Sequence, residues 1–163
     1  AGALHCDPRW PEGAAAALEA AAQRGLPTVL DAEKGEARIL LDLVPRAHHA
    51  VFSEGGLANF APGLRPADGL RRALEQGRTE LAAVTRGEKG VLWLARGMDA
   101  PAAIPAFPVE AANTTGAGDV FHGAHALALA EGMAAPEALR FASAAGALRA
   151  RDGQTPRRAA VDA

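Results

Sequence analysis

Residues 113–119, with the sequence NTTGAGD, combine small, hydroxyl and carboxylate side chains directly before the apolar run of residues 120–129. Glycines on either side of Ala117 allow a tight turn and a close approach of the backbone to a ligand. A helix that begins at this turn directs its free N–H groups and the positive end of its dipole toward the same place. The segment therefore predicts a site for an anion such as phosphate.

Asp119 is an unusual residue for such a site, because a carboxylate repels a bound anion. The carboxylate has a chemical purpose if it removes a proton from the group that attacks the anion. The segment therefore indicates phosphoryl transfer, with Asp119 as the candidate general base. A structural alternative is a glycine turn that opens a helix, with Thr114 or Thr115 as N-cap and Asp119 complementing the helix dipole.

The longer segment NTTGAGDVFHGA resembles the C-terminal motif of the ribokinase-like (PfkB) carbohydrate kinases, whose usual form is DTTGAGD followed by phenylalanine. Other similar segments are LPTVLDAE from Leu26, AAVTRGEKGVLWL from Ala82 and RFASAAGALRARDGQTPRRAAV from Arg140. The resemblance covers almost the whole chain in the order of the family. It implies that ATP is the phosphate donor and that Asp119 activates a hydroxyl group of a sugar.

The resemblance also assigns the neighbours of Asp119. It implies that Gly116, Ala117 and Gly118 form the anion hole for the transferring phosphate, with magnesium bridging the phosphates. Thr114 and Thr115 are candidates for contacting phosphate or water bound to the metal, and helix capping is the alternative for each.

The nucleotide is expected to contact two further segments, again by resemblance. One is the loop that contains Thr85, Gly87 and Gly90, for which a plain hairpin turn is an equal alternative. The other is the small residue Ala144, which would form part of the wall of the adenine pocket. Packing between helices is an equal alternative for Ala144.

Two departures from the family concern metal ions. Asn113 occupies a position that is usually an aspartate helping to bind a monovalent cation, and an amide lacks that charge. Dependence on a monovalent cation is therefore doubtful. A common NxxE motif for magnesium is replaced by SEGG at residues 53–56. Glu54 is either a substitute ligand or a helix-start carboxylate, so no metal ligand is assigned.

The histidines suggest one further metal hypothesis. His122 and His125 are three residues apart on a predicted helix, a spacing that suits two metal ligands. No third candidate ligand accompanies them. His48 and His49 are predicted to lie in a loop.

The pattern of apolar residues predicts an open α/β sheet that positions these groups. Predicted strands cover residues 4–6, 27–31, 50–53, 81–85 and 91–95, with an edge strand at 104–109. Predicted helices cover residues 13–24, 36–43, 66–76, 116–131 and 136–150, and Ser53 is placed to cap another. The loop between residues 85 and 91 is too short for a crossover helix, so its two strands form a hairpin. The centre of the sheet is expected to be parallel, with flanking helices.

The composition excludes several classes of protein. With 163 residues, 49% of them hydrophobic, the chain is long enough for one compact domain. A net charge of -2 offers no basic surface for nucleic acid. The single cysteine, Cys6, excludes an internal disulfide and fits a reducing compartment. No apolar run approaches the ~20 residues that span a bilayer, and no leader is visible, so a soluble, cytoplasmic protein without membrane partners is expected.

These observations lead to one functional hypothesis and two alternatives. Residues 1–163 are expected to be the C-terminal, nucleotide-binding half of a ribokinase-like kinase. The N-terminal half, which in that family carries a small lid of β-strands, is expected to be absent from this chain. The protein would transfer the γ-phosphate of ATP to a hydroxyl of a sugar or related polyol. The alternatives are a nucleotide-binding or regulatory module without turnover, and a nucleoside-type kinase of the same superfamily. The sequence does not specify the acceptor, and a homodimer of the full-length protein is compatible with it.

Overall fold

Six strands form one sheet in the computed structural model, which describes residues 2–33 and 35–162. They lie side by side in chain order as β1 (Leu4–Cys6), β2 (Thr28–Ala32), β3 (His49–Ser53), β4 (Leu81–Thr85), β5 (Val91–Ala95) and β6 (Ala102–Ile104). Strands β1 to β4 are parallel, whereas the β4–β5 and β5–β6 pairs are antiparallel. The predicted mostly parallel sheet and its hairpin are confirmed.

Helices flank the sheet on both faces. The α-helices of the described residues are α1 (Pro11–Ala22), α2 (Ala37–Leu43), α3 (Glu54–Phe60), α4 (Pro66–Leu74), α5 (Ala117–Ala130), α6 (Ala135–Asp152) and α7 (Arg158–Val161). Short 3₁₀ turns cover Val44–Arg46 and Gly87–Lys89. One core cluster joins the sheet to α1, α2, α3 and α4, and a second joins it to α5 and α6.

Alternate residues of the central strands point into these two cores. In β3, Ala50 and Phe52 belong to the cluster under the first four helices, whereas Val51 belongs to the cluster under α5 and α6. In β4, Val84 belongs to the cluster under the first four helices and Ala83 to the cluster under α5 and α6. This alternation follows from the period of two along a strand. Both faces of the central strands are therefore buried, which explains why their sequences are continuously apolar.

The start of α3 ties together the ends of β2 and β3. The Gly56 N–H donates to Oγ of Ser53 at 3.0 Å, which confirms Ser53 as the N-cap residue. The Ser53 hydroxyl donates in turn to the carbonyl of Glu33 at 2.6 Å. The helix therefore begins directly against the carboxyl end of β2.

Gly56 is required by this close approach, and its neighbour Gly55 is not. A Cβ atom at Gly56 would lie 1.8 Å from the carbonyl oxygen of Ala32, whereas the nearest atom to one at Gly55 is 3.9 Å away. We expect Gly56→Ala to lower the free energy of unfolding by about 2 kcal/mol or more, because backbone must move. Gly55→Ala should keep it or raise it by up to about 1 kcal/mol, because alanine favours helix.

Chemical denaturation of the two variants beside the unmodified protein measures this difference. Since both substitutions add one methyl group to the first turn of the same helix, they are matched controls for each other. Equal stabilities of the two variants would show that α3 does not lie this close to β2.

The predicted edge strand at residues 104–109 is wrong in position. The observed strand β6 is Ala102–Ile104, which pairs with β5 and shares only Ile104 with the prediction. Pro105 and Pro108 follow it outside the sheet, since neither has an N–H group for the ladder. The strand is thus formed by the residues that come before the prolines.

The prediction that His49 lies in a loop is also wrong. His49 is the first residue of β3 and is buried, with 7% of its surface exposed. His48 precedes the strand, and its N–H donates to Oγ1 of Thr28 at 2.9 Å. The side chain of His49 faces α5.

No helix in the described ranges combines the length and the apolar character that a membrane crossing requires.

Candidate functional site

Helix α5 begins at a tight turn in which Gly116 is the N-cap residue. Its backbone is left-handed, with φ 78° and ψ 3°, a conformation that favours glycine. The Ala117 N–H donates to the Thr114 carbonyl at 3.1 Å, and the Thr115 N–H donates to Oδ1 of Asn113 at 2.9 Å. Neither threonine side chain caps the helix. The prediction of Thr114 or Thr115 as N-cap is therefore wrong, because Gly116 occupies that position and no side chain caps it.

Four backbone N–H groups at this turn have no acceptor among the described residues. They belong to Thr114, Gly116, Gly118 and Asp119, whereas the N–H of Ala117 is used within the turn. Free amides at the positive end of a helix dipole form an anion-binding site. The resemblance assigns the anion hole to Gly116, Ala117 and Gly118, and of these Ala117 has its N–H already bonded within the turn. The free amide of Asp119 is a further donor that the resemblance does not assign.

The side chain of Arg149 brings positive charge to the same turn. A Cβ atom at Gly116 would lie 3.6 Å from both Nε and Nη2 of this arginine, which belongs to α6. Its Nη1 is buried without a hydrogen-bond partner in the described part of the chain. The electrostatic environment of the turn therefore favours an anion.

A groove of about 970 Å³ extends from this turn along the sheet. Six of the predicted site residues line it: Thr85, Gly87, Gly90, Thr114, Ala117 and Gly118. Phe107 and residues of α6 complete its walls, among them Ser143, Gly146 and Ala147. Ala144 follows Ser143 on α6 but does not line the groove. The groove is large enough for a small organic ligand.

Glycines allow the loop after β4 to form one wall of this groove. Gly87 and Gly90 have φ values of 54° and 73°. A Cβ atom at Gly90 would lie 2.0 Å from the carbonyl oxygen of Ile104, so this glycine is required by the packing of the edge strand. No atom lies within 4 Å of a Cβ atom at Gly87. The packing of the edge strand is therefore enough to explain a glycine at position 90. For Gly87, both the hairpin turn and the contact with a nucleotide remain as interpretations.

Asp119 lies beside a second, smaller hollow. This hollow of about 380 Å³ is formed by α5, α6 and the C-terminal segment, including Gly123, Leu127 and Phe141. Asp119 is exposed, and its carboxylate makes no hydrogen bond or ion pair within the described residues. Adjacent residues, Gly118 and Asp119, thus line different hollows. A carboxylate that is free to accept a proton lies next to the free amides.

A buried histidine and a buried aspartate lie directly behind the turn. Nδ1 of His122 is 2.7 Å from the carbonyl oxygen of Gly118 and 3.4 Å from Oδ2 of Asp31, at the end of β2. The ring of His5 stacks on His122 with 5.8 Å between ring centroids. Burial raises the pKa of the Asp31 carboxyl, and the nearby His122 opposes this effect. The i, i+4 spacing of Gly118 and His122 is the signal that could have revealed this contact.

A second buried pair links α5 to β3. Nδ1 of His49 is 2.8 Å from Nε2 of His125. Burial lowers the pKa of His49 to about 4 and that of His125 to about 3. The two histidines predicted as possible metal ligands therefore contact different residues. His125 contacts His49, and His122 contacts Asp31. Within the described ranges, no three histidine, cysteine or acidic residues are grouped as a metal site requires.

The sequence matches the pfkB family carbohydrate kinases over residues 1–157. The ribokinase of Bacillus subtilis (strain 168) is 49% identical over 65 residues, which are 40% of this chain and 22% of that protein. The family match therefore covers most of this chain, whereas the match to this one ribokinase covers less than half of it.

Solved structures share the fold. A protein of Agrobacterium tumefaciens identified provisionally as a ribokinase has a TM-score of 0.89 and 33% identity, covering 99% of this chain and 54% of that one. The ribokinase of Arabidopsis thaliana, complexed with ribose and ATP, has a TM-score of 0.85 and 25% identity, covering 99% and 55%. The chain spans about half the length of these proteins. The predicted ribokinase-like fold is confirmed, and the chain belongs to the pfkB family of carbohydrate kinases.

Proposed function

We propose that the protein containing this chain transfers the γ-phosphate of ATP to a hydroxyl of a sugar or related polyol. In this proposal residues 1–163 form the C-terminal, nucleotide-binding half of the kinase. The observation that carries it is the start of α5, where the free amides of Gly116 and Gly118 come directly before Asp119, whose carboxylate has no hydrogen-bond partner in the described part of the chain. The ribose and ATP bound by the Arabidopsis thaliana relative support both the donor and the class of acceptor.

The groove is assigned to the nucleotide. Apolar side chains such as Phe107 and Val91 would contact the base, and the small residues Gly146 and Ala147 leave room for it on α6. Thr114 and Gly118 are part of the lining of the groove, so the phosphates would reach the free amides at the start of α5. Ala144 does not line the groove, so the position of this residue gives no support to its predicted contact with the nucleotide.

The chemical step then needs one base and one anion hole. The Asp119 carboxylate would accept the proton of the acceptor hydroxyl as its oxygen attacks the γ-phosphorus, and ADP would leave with the electron pair of the broken P–O bond. The amides of Gly116 and Gly118 would hold the charge that develops on the transferring group. This geometry needs the acceptor on the side of Asp119 and the nucleotide on the side of Gly118.

Magnesium bound to the phosphates of ATP would neutralise their charge, and such an ion needs only one or two carboxylates from the protein. Glu54 is the candidate for this role: it begins α3 directly after Ser53, which pairs in the sheet with Thr85 of the groove. Oδ1 of Asn113 already accepts the Thr115 N–H, which gives no support for a monovalent cation at that oxygen.

Calorimetry with ATP and with adenosine tests this assignment. We expect ATP to bind more tightly than adenosine, and we expect Gly118→Ala to reduce that preference by about tenfold. No protein atom lies within 4 Å of a Cβ atom at Gly118, and Gly118 lines the groove, so the methyl group would displace the phosphate without disturbing the fold. The loss corresponds to one impaired charge-assisted hydrogen bond.

Gly123→Ala is the matched control. A Cβ atom at Gly123 also has no atom within 4 Å, and this residue belongs to the same helix but lines the smaller hollow. Both variants gain helix propensity, so neither should lose stability. Equal ATP affinity in all three proteins would contradict the phosphate site, and absence of ATP binding would contradict the proposed function itself.

A further inference from the structure

The carbonyl of Gly118 and the free amide of Asp119 belong to one peptide unit. The carbonyl oxygen lies 2.7 Å from Nδ1 of His122, and a carbonyl can only accept, so this nitrogen carries the proton. The N–H on the other side of the same peptide plane is the amide that lacks an acceptor. The orientation of this amide is therefore coupled to the imidazole of His122.

His122 is itself held by its surroundings. Its side chain is 3% exposed, and Nδ1 is 3.4 Å from Oδ2 of Asp31, which is 7% exposed. Nε2 is 3.4 Å from the carbonyl oxygen of Val51 in β3. Both ring nitrogens thus face acceptors, and the ring is fixed between two strands of the sheet. Oδ1 of Asp31 has no hydrogen-bond partner within the described residues, so the contact of this carboxylate with His122 is made by Oδ2.

We infer that His122, held by Asp31, is a positioning residue that aligns and polarises the peptide between Gly118 and Asp119 for the phosphate. A donor on the carbonyl strengthens the N–H of the same peptide as a donor, because hydrogen bonds in a chain polarise one another. The inference rests on the proposed function, since it needs an anion in front of this amide. His122 does not touch the ligand and acts only through the backbone.

Two substitutions of similar size separate this role from simple packing. The side-chain amide of asparagine reaches the position of Nδ1, whereas that of glutamine reaches the position of Nε2. His122→Asn therefore keeps a donor for the Gly118 carbonyl, and His122→Gln loses it and keeps a donor toward Val51. The measured quantity is the ratio of the dissociation constants of adenosine and ATP, which isolates the contribution of the phosphates.

We expect His122→Asn to keep this ratio within about threefold of the unmodified protein and His122→Gln to lower it about tenfold. Adenosine affinity should be unchanged in both variants, which also shows that each is folded. If the two variants have the same ratio, the inference is wrong, whether both keep it or both lose it. If the unmodified protein shows no preference for ATP, the proposed function fails as well.

Asp31→Asn tests the second member of the pair without changing the size of the side chain. A neutral oxygen attracts the imidazole less strongly than a carboxylate, because the contact between Nδ1 and Oδ2 at 3.4 Å is electrostatic. We expect the ratio to fall about threefold, again with adenosine affinity unchanged. An unaltered ratio in Asp31→Asn would remove Asp31 from the inference and would contradict the pair as a unit.

Discussion

Asp119→Asn is expected to reduce turnover by about 100-fold or more while ATP affinity stays within a few-fold. A positioned general base contributes about 10² to 10⁴ in rate, and asparagine keeps the size of the side chain but cannot accept the proton. ATP affinity should persist because the backbone amides remain. Since the carboxylate makes no hydrogen bond or ion pair within the described residues, its replacement breaks no hydrogen bond of the fold. The release of ADP with a panel of sugars and polyols measures turnover.

The full-length gene product is the protein for this assay, because this chain spans about half the length of the solved relatives. Glu137→Gln provides a matched control, since Glu137 is also an acidic residue in the first turn of a helix, here α6. It should leave turnover unchanged. Undiminished turnover in Asp119→Asn would remove Asp119 as the base.

The same experiment separates the alternative functions. A protein that binds ATP and releases no ADP with any acceptor would be a nucleotide-binding or regulatory module. Turnover restricted to nucleosides would indicate the nucleoside-type kinase of the superfamily. Both results would leave the Gly118 prediction intact, because that prediction concerns the phosphates alone.

The regular elements were predictable where local signals agree. Strands β1, β4 and β5 have the predicted bounds. For β4 and β5 the reason is that each is a mostly apolar run that ends at a polar or glycine-containing turn. The start of α5 was predicted to within one residue from the glycine motif. The predicted edge strand is misplaced because it includes two prolines. Pairing between strands uses backbone N–H groups, which proline lacks, so the observed strand ends before Pro105.

The site was predictable only as far as the motif itself reaches. The turn is local in sequence, so its glycines and Asp119 could be identified directly. The buried polar pairs depend on which strand lies under α5, and His49 and His125 are 76 residues apart. A histidine beside another histidine suggests a polar loop when only its neighbours are considered. The sheet register brings His49 under α5 and buries it, and no signal in the single sequence contains that information.

The His49–His125 pair predicts that the fold loses stability in mild acid. Burial lowers both pKa values in the folded protein, to about 4 and about 3, whereas an exposed histidine has a pKa near 6.5. Below pH 6.5 the unfolded chain therefore binds protons that the folded chain does not. Stability is fully present above pH 6.5 and falls as the pH decreases toward about 4, by up to about 1.4 kcal/mol per pH unit for each histidine.

We expect the pair to reduce the free energy of unfolding by about 4 kcal/mol between pH 6.5 and 4.5. Other titrating groups face the same region: burial also lowers the pKa of His5, whereas the raised pKa of Asp31 acts in the opposite direction. A double variant, His49→Asn with His125→Asn, keeps both of these groups. The difference between its pH slope and that of the unmodified protein therefore isolates the pair.

Urea denaturation at several pH values between 7.5 and 4.5 gives both slopes. The comparison does not require the variant to be as stable as the unmodified protein, since only the change with pH is used. A steeper loss in the unmodified protein is the expected result, because only there must two imidazoles stay neutral to remain buried. Parallel curves would mean that His49 and His125 accept protons as readily in the folded state as in the unfolded state. The close contact between β3 and α5 would then be wrong, together with the register that places His49 beneath the helix carrying Asp119.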